Sequence, residues 1–164
     1  MLNALKEAHL HFLDWNLQRI TRCLEELTEE QVWQRPNASS NSVGNQILHL
    51  CGNIRQWIVT GLGGLPDQRK RAEEFAATGG EEKAELLGRL SRVVADSKTV
   101  INKLTEEDLL RERPVQAFHH DGVFILTHVT EHLSYHTGQI IFWVKALKDK
   151  DLDLYAGVEL GQTK

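Results

Sequence analysis

The sequence predicts an all-α protein built as a four-helix bundle. Three observations predict it. Four long segments carry apolar residues at helical spacings of three and four. A short helix-start motif occurs twice and divides the chain into two similar halves. No stretch alternates apolar and polar residues for long enough to indicate a sheet.

The first long segment runs from about Leu2 to Leu27, where Leu10, Leu13, Leu17, Ile20, Leu24 and Leu27 form one apolar stripe. The second runs from about Ser42 to Thr60, with Val43, Ile47, Leu50, Ile54, Trp57 and Ile58 on its inner side, and Gly61-Leu-Gly-Gly-Leu-Pro66 stops it. The third runs from about Glu81 to Leu104 and carries Leu86, Leu87, Leu90, Val93, Val94, Val100, Ile101 and Leu104. The fourth runs from about Gly122 to Lys148, with Ile140, Ile141, Trp143, Val144 and Leu147. Between them, Leu27-Thr-Glu-Glu-Gln resembles Leu104-Thr-Glu-Glu-Asp. The first copy is a capping-box pattern and the second a looser relative, so each predicts a short extra helix, closed by Pro36 or Pro114. The two halves then pack as a bundle whose connections are longer than simple hairpins. Leu152, Leu154 and Tyr155 of the acidic tail are candidates to dock on its body.

At 164 residues the chain fits one domain, 1–164. Its 41% hydrophobic and 26% charged content is that of a soluble globular protein rather than a disordered chain. A net charge of −4 argues against nucleic acid as a partner, because phosphate binding needs a basic surface. The short cluster Arg69-Lys70-Arg71 is followed by Glu73 and Glu74 and reads as a solvated face or loop. No apolar run approaches the roughly 20 residues that span a bilayer. The first residues lack a signal peptide's basic start and long apolar core, so a cytoplasmic location is expected. Cys23 and Cys51 have no CxxC spacing and read as buried small apolar residues.

The chemistry lies in the histidines. His128, His132 and His136 stand one turn apart on the fourth helix, and His49 lies in the apolar second helix. Two imidazoles at i, i+4 can grip one ion, and one more from a facing helix makes three nitrogen ligands with an open position. The outer two of the ladder lie about 11–12 Å apart along the axis, too far to share one ion. Spacing therefore leaves two pairs open, His128 with His132 or His132 with His136. Neutral imidazole suits zinc, nickel, copper and iron alike. Glu131 points about 100° away from His132 and makes a doubtful general base. Tyr135 and Gln139 flank the ladder, and Asn45 stands one turn before His49, where it could line the same pocket. Arg55 and Trp57 read as packing or dimer contacts. His9, His11, His119 and His120 lack a partner at ligand spacing, and the last two could sit at the cap of the fourth helix.

The stretches Asn41-Ser-Val-Gly-Asn-Gln-Ile-Leu-His-Leu-Cys-Gly-Asn-Ile-Arg-Gln-Trp57 and His128-Val-Thr-Glu-His-Leu-Ser-Tyr-His-Thr-Gly-Gln139 resemble the two signature helices of the DinB-like superfamily. The resemblance spans roughly Ala8 to Leu147 and implies a metal-binding four-helix bundle, often dimeric. It places the metal ligands at His49, His132 and His136 and leaves His128 outside them. Thr137 stands where the superfamily often carries Arg. The implied cofactor is a divalent transition metal, zinc or nickel first, with manganese and iron as further candidates. The implied activity is a metal-dependent thiol S-transferase or hydrolase, acting on a low-molecular-weight thiol and a small electrophile. The competing expectation is a non-catalytic metal-binding interaction or stress-response protein. Either would be a homodimer.

Overall fold

A computed structural model describes residues 1–161. Four long helices dominate it: α1 (Leu2–Glu26), α3 (Val43–Ile54), α5 (Lys83–Lys103) and α7 (Gly122–Lys148). Shorter helices α2 (Glu29–Trp33), α4 (Arg71–Ala76) and α6 (Glu106–Leu110) sit in the connections. α1 packs on α7 and α5, and α3 packs on the same two, so the four helices close a ring with α1 and α3 on opposite corners. The expected stripes face inward. Leu13, Ile20, Leu24 and Leu27 are buried, with Leu10 and Leu17 packed against them. All six expected residues of the second helix are buried, as are Leu86, Leu90, Val93, Val94 and Ile101 of α5 and Ile140 and Val144 of α7, while Leu87 and Val100 of α5 and Ile141, Trp143 and Leu147 of α7 are only partly buried.

Both repeated motifs are full capping boxes. Thr28 Oγ1 accepts from the Gln31 amide while Gln31 accepts from the Thr28 amide. Thr105 and Asp108 exchange the same two bonds, so the second copy is as complete as the first. Each box satisfies two amide donors that a helix start otherwise leaves open. The prolines do not themselves close these helices. They end at Trp33 and Leu110, with extended backbone at Gln34 and Arg111, and Pro36 and Pro114 come later.

Three elements depart from the sequence reading. α3 does not run as a uniform α-helix to Thr60 but continues as a π-helical segment, Arg55–Thr60, which carries Trp57. Arg71–Ala76 forms a short helix absent from that reading, although Lys70 and Arg71 are exposed as expected. Arg113–Val115 (β1) and Phe118–His120 (β2) pair antiparallel, a hairpin too short for periodicity to reveal. Gln116 in its turn adopts φ of 54°, a costly region for a residue with a side chain. It is held there by Trp57, whose indole Nε1 donates to Gln116 Oε1 at 3.2 Å. The tail docks through Leu152, which is fully buried, while Tyr155 rests edge-on against Trp15 and stays half exposed.

Candidate metal centre

α3 and α7 bring His49, His132 and His136 together, with one ring nitrogen of each within 4.8 Å of the others. His49 Nε2 lies 3.2 Å from His132 Nε2. Two nitrogens each about 2.0–2.1 Å from zinc at tetrahedral angles would be separated by about 3.3 Å. The donor set therefore fits a divalent ion. His128 is adjacent but outside this set: its ring lies 3.9 Å from that of Trp57 and 5.5 Å from that of His132.

The rings are oriented from behind. His49 Nδ1 lies 3.1 Å from both Glu74 Oε2 and Arg69 Nη2; donation to the carboxylate is the tautomer that leaves the lone pair on Nε2 for a metal. His136 Nδ1 donates to Gln46 Oε1 at 3.2 Å and is left in the same tautomer. Outer acceptors of this kind fix the ring and raise its basicity toward a metal. His132 Nδ1 is buried with no partner among the described residues, so this imidazole lacks such an anchor there.

Glu74 is itself clamped. Arg69 Nε donates to its Oε1 at 2.7 Å and Arg69 Nη2 to its Oε2 at 2.8 Å, a bidentate pair. Arg69 Nη1 reaches Gln56 Oε1 at 2.9 Å, and Gln56 donates on to Asp67 Oδ2 at 2.7 Å. The Arg69 side chain is only 4% exposed, so the cluster read as a solvated loop contributes a buried cation. Burial pushes the Glu74 carboxyl up, but the bonds from Arg69 and His49 outweigh it and hold it below the usual glutamate value. The pair lies against α3 at Gly52, where a Cβ would run into Glu74 Oε1 and Arg69 Nε. Only glycine leaves room there.

Asn45 does not line this pocket. It is fully buried as the third residue of the α3 capping box, accepting from the Ser42 amide. Its amide group donates to the carbonyls of Glu74 and Ala77, at 3.0 and 2.7 Å. Its work is to hold the segment that delivers Glu74. Glu131 is exposed on α7, and Tyr135 packs edge-on against His136 while remaining 58% exposed. His120 stacks on Phe124, and the cap of α7 is Asp121 rather than either hairpin histidine. His9 bonds Thr130 at 2.7 Å, and His11 packs against Trp15, both away from the cluster. Both cysteines are buried free thiols pushed up to about 12 by burial, which removes them as nucleophiles.

Sequence reasoning missed Glu74, Arg69 and Gln46. The signal for the first two was Gly52, a glycine inside an apolar helix, which marks close approach of another group. Gln46 stands three residues before His49, on the same face, and could have been found by that spacing.

Burial, reinforced by the neighbouring imidazoles, pushes His132 down to about 3; burial and His49 push His136 down to about 4. Both values lie below the ordinary histidine value of about 6.5. Between those limits the unfolded chain binds more protons than the folded one. Stability is then greatest above about pH 6.5 and falls as pH drops toward about 4. Calorimetry on metal-free protein should show Tm falling across that window, and a His132→Gln/His136→Gln variant should show a flatter profile.

The mycothiol S-transferase family model matches residues 8–142. The chain belongs to this DinB-like family. The matched residues include most of the ring of long helices and all three clustered histidines. The family chain also shares its fold with solved structures. A conserved protein from Enterococcus faecalis aligns with TM-score 0.72 at 19% identity, over 88% of this chain and 97% of that one. A DinB-like protein from Bacillus cereus gives 0.69 at 16%, over 89% and 94%. A DinB-like protein from Bacillus subtilis gives 0.66 at 17%, over 88% and 94%. No curated protein matches.

Proposed function

We propose that this mycothiol S-transferase family protein is a metal-dependent thiol S-transferase, with His49, His132 and His136 as the ligands of a divalent transition metal. The observation that carries the reading is the convergence of three ring nitrogens, two of their rings fixed from behind by Glu74 and Gln46. A divalent ion bound there, zinc or nickel first, would supply positive charge that favours the thiolate form of a low-molecular-weight thiol. The chain's residues do the rest. Glu74 and Gln46 keep two imidazoles in the ligating tautomer. The Arg69–Glu74 pair keeps the helix-borne His49 aligned. A cavity of about 310 Å³ reaches His49 and His132 and gives a second reactant access. In the transfer the sulfur lone pair forms a bond to an electrophilic carbon. The leaving group departs with its bonding electrons, and the thiol proton passes to solvent.

That cavity favours an enzyme over a purely structural metal knot. The test is thiol-dependent turnover of a haloalkyl fluorophore by zinc- or nickel-loaded protein, across a panel of small thiols. The reading predicts that a chelator abolishes the rate and metal restores it. A rate indifferent to the chelator contradicts it, as does consumption of no thiol at all. Metal-dependent cleavage of an ester probe without thiol would assign a hydrolase instead.

We propose a homodimer in addition, supported by Phe12, Tyr135 and Phe142, large side chains left exposed on α1 and α7. Light scattering at micromolar concentration should give twice the chain mass, and a monomer mass rejects the dimer.

A further inference from the structure

Two side-chain ladders face one another beside the histidine cluster. His49, Asn53 and Trp57 stand one turn apart along α3 and its π-helical continuation. Phe124, His128 and His132 do the same on α7. The ladders touch where His49 meets His132, and again where the Trp57 ring lies 3.9 Å from that of His128. The cavity of about 310 Å³ borders both, and Phe118 and His120 of the hairpin add two more rings to its wall. Its size is at the lower end of small-molecule pockets.

Arg69, Arg71 and Gln116 also line the cavity, but Arg69 is tied to Glu74, Gln116 to Trp57, and Arg71 lies over Phe75, whereas Asn53 has no such partner. It is 4% exposed, and its Oδ1 is buried with no hydrogen-bond partner among the described residues. An unpaired buried amide oxygen costs its lost hydration, and asparagine is a weaker helix former than leucine. Neither packing nor helix formation calls for it there. A half-turn of the amide exchanges oxygen and nitrogen and breaks no bond at Oδ1, so it can present either a donor or an acceptor to the cavity.

We propose that this cavity binds a flat ring carrying an amide-like donor and acceptor, the ring lying among the aromatic walls and the polar group pairing with Asn53. On the thiol-transferase reading, that ring belongs to the electrophile, delivered beside His49 and His132. The aromatic walls supply face and edge contacts that a saturated ring cannot use as well.

The probe is benzamide, titrated by calorimetry and saturation-transfer NMR into the full chain, metal-free and zinc-loaded. One benzamide should bind per chain. Toluene, which lacks the amide, and cyclohexanecarboxamide, which lacks the flat ring, should each bind about tenfold more weakly. N53L should weaken benzamide about tenfold while its Tm does not fall, since the oxygen it removes has no bond to lose. Should N53L fail to fold, F118A on the exposed hairpin should keep the fold and weaken benzamide several-fold. Equal affinity for the three probes, no binding of benzamide, or full affinity in both variants overturns the proposal. A protein that transfers thiols with metal but ignores benzamide overturns this proposal alone. One that binds benzamide selectively but shows no metal-dependent transfer supports the pocket and overturns the functional reading.

Discussion

A His132→Ala/His136→Ala variant is expected to lose its metal, from about one ion per chain to none. Two of three nitrogen donors go, and one remaining imidazole does not hold an ion against water. The fold should survive. Val129, Leu133, Ile140 and Val144 carry the buried face of α7, and neither histidine belongs to that set. Alanine also favours the helix. The expected signature is therefore selective. Wild-type protein should gain about 2.7 kcal/mol of stability with zinc at a hundred times its Kd, and the variant nothing. Without metal the variant should match wild type near neutral pH and exceed it in acid, because it no longer carries two imidazoles held unprotonated by burial. Mass spectrometric metal content and calorimetry with and without zinc check both parts.

The second large effect is expected at Glu74. Glu74→Gln leaves Arg69 as a buried cation without its carboxylate, which should destabilise the protein by about 3–5 kcal/mol. The same change weakens the acceptor behind His49 and should lower metal affinity about 10–100-fold. The two effects separate in an Arg69→Met/Glu74→Leu double variant. Apolar replacement of the whole pair should recover most of the stability, while metal affinity stays low. Denaturation midpoints and competitive zinc titration measure the two. Equal metal affinity in wild type and both variants would mean that the carboxylate does not serve His49.

Much of this was legible in the sequence because it rests on local periodicity. The four long helices turn the stripes their spacing indicates toward the core, although on α7 only Ile140 and Val144 of the five expected residues are buried, and His132 and His136 share a helix face by register alone. Spacing could not choose between His128 and His136. The DinB-like resemblance made that choice; the structure gathers ring nitrogens of His49, His132 and His136 within 4.8 Å and packs the His128 ring against Trp57. What stayed hidden depends on tertiary placement. Glu74 lies 25 residues beyond His49 in a segment whose charges suggest solvent, and only the fold shows that Asn45 ties it down against Gly52. Asn45 itself misled, because its position one turn before His49 suggested a pocket residue. Its place three residues after Ser42 was the better signal. The π-helical segment and the three-residue strands have no period of their own to read.

The measurement that tests the central claim most directly is X-ray absorption on protein loaded with one zinc per chain, beside the His49→Ala variant. The account predicts three imidazole nitrogens at about 2.0–2.1 Å and one further oxygen donor in wild type, with one imidazole fewer in the variant. A zinc shell unchanged by the loss of His49, or no stoichiometric zinc at neutral pH, would contradict it.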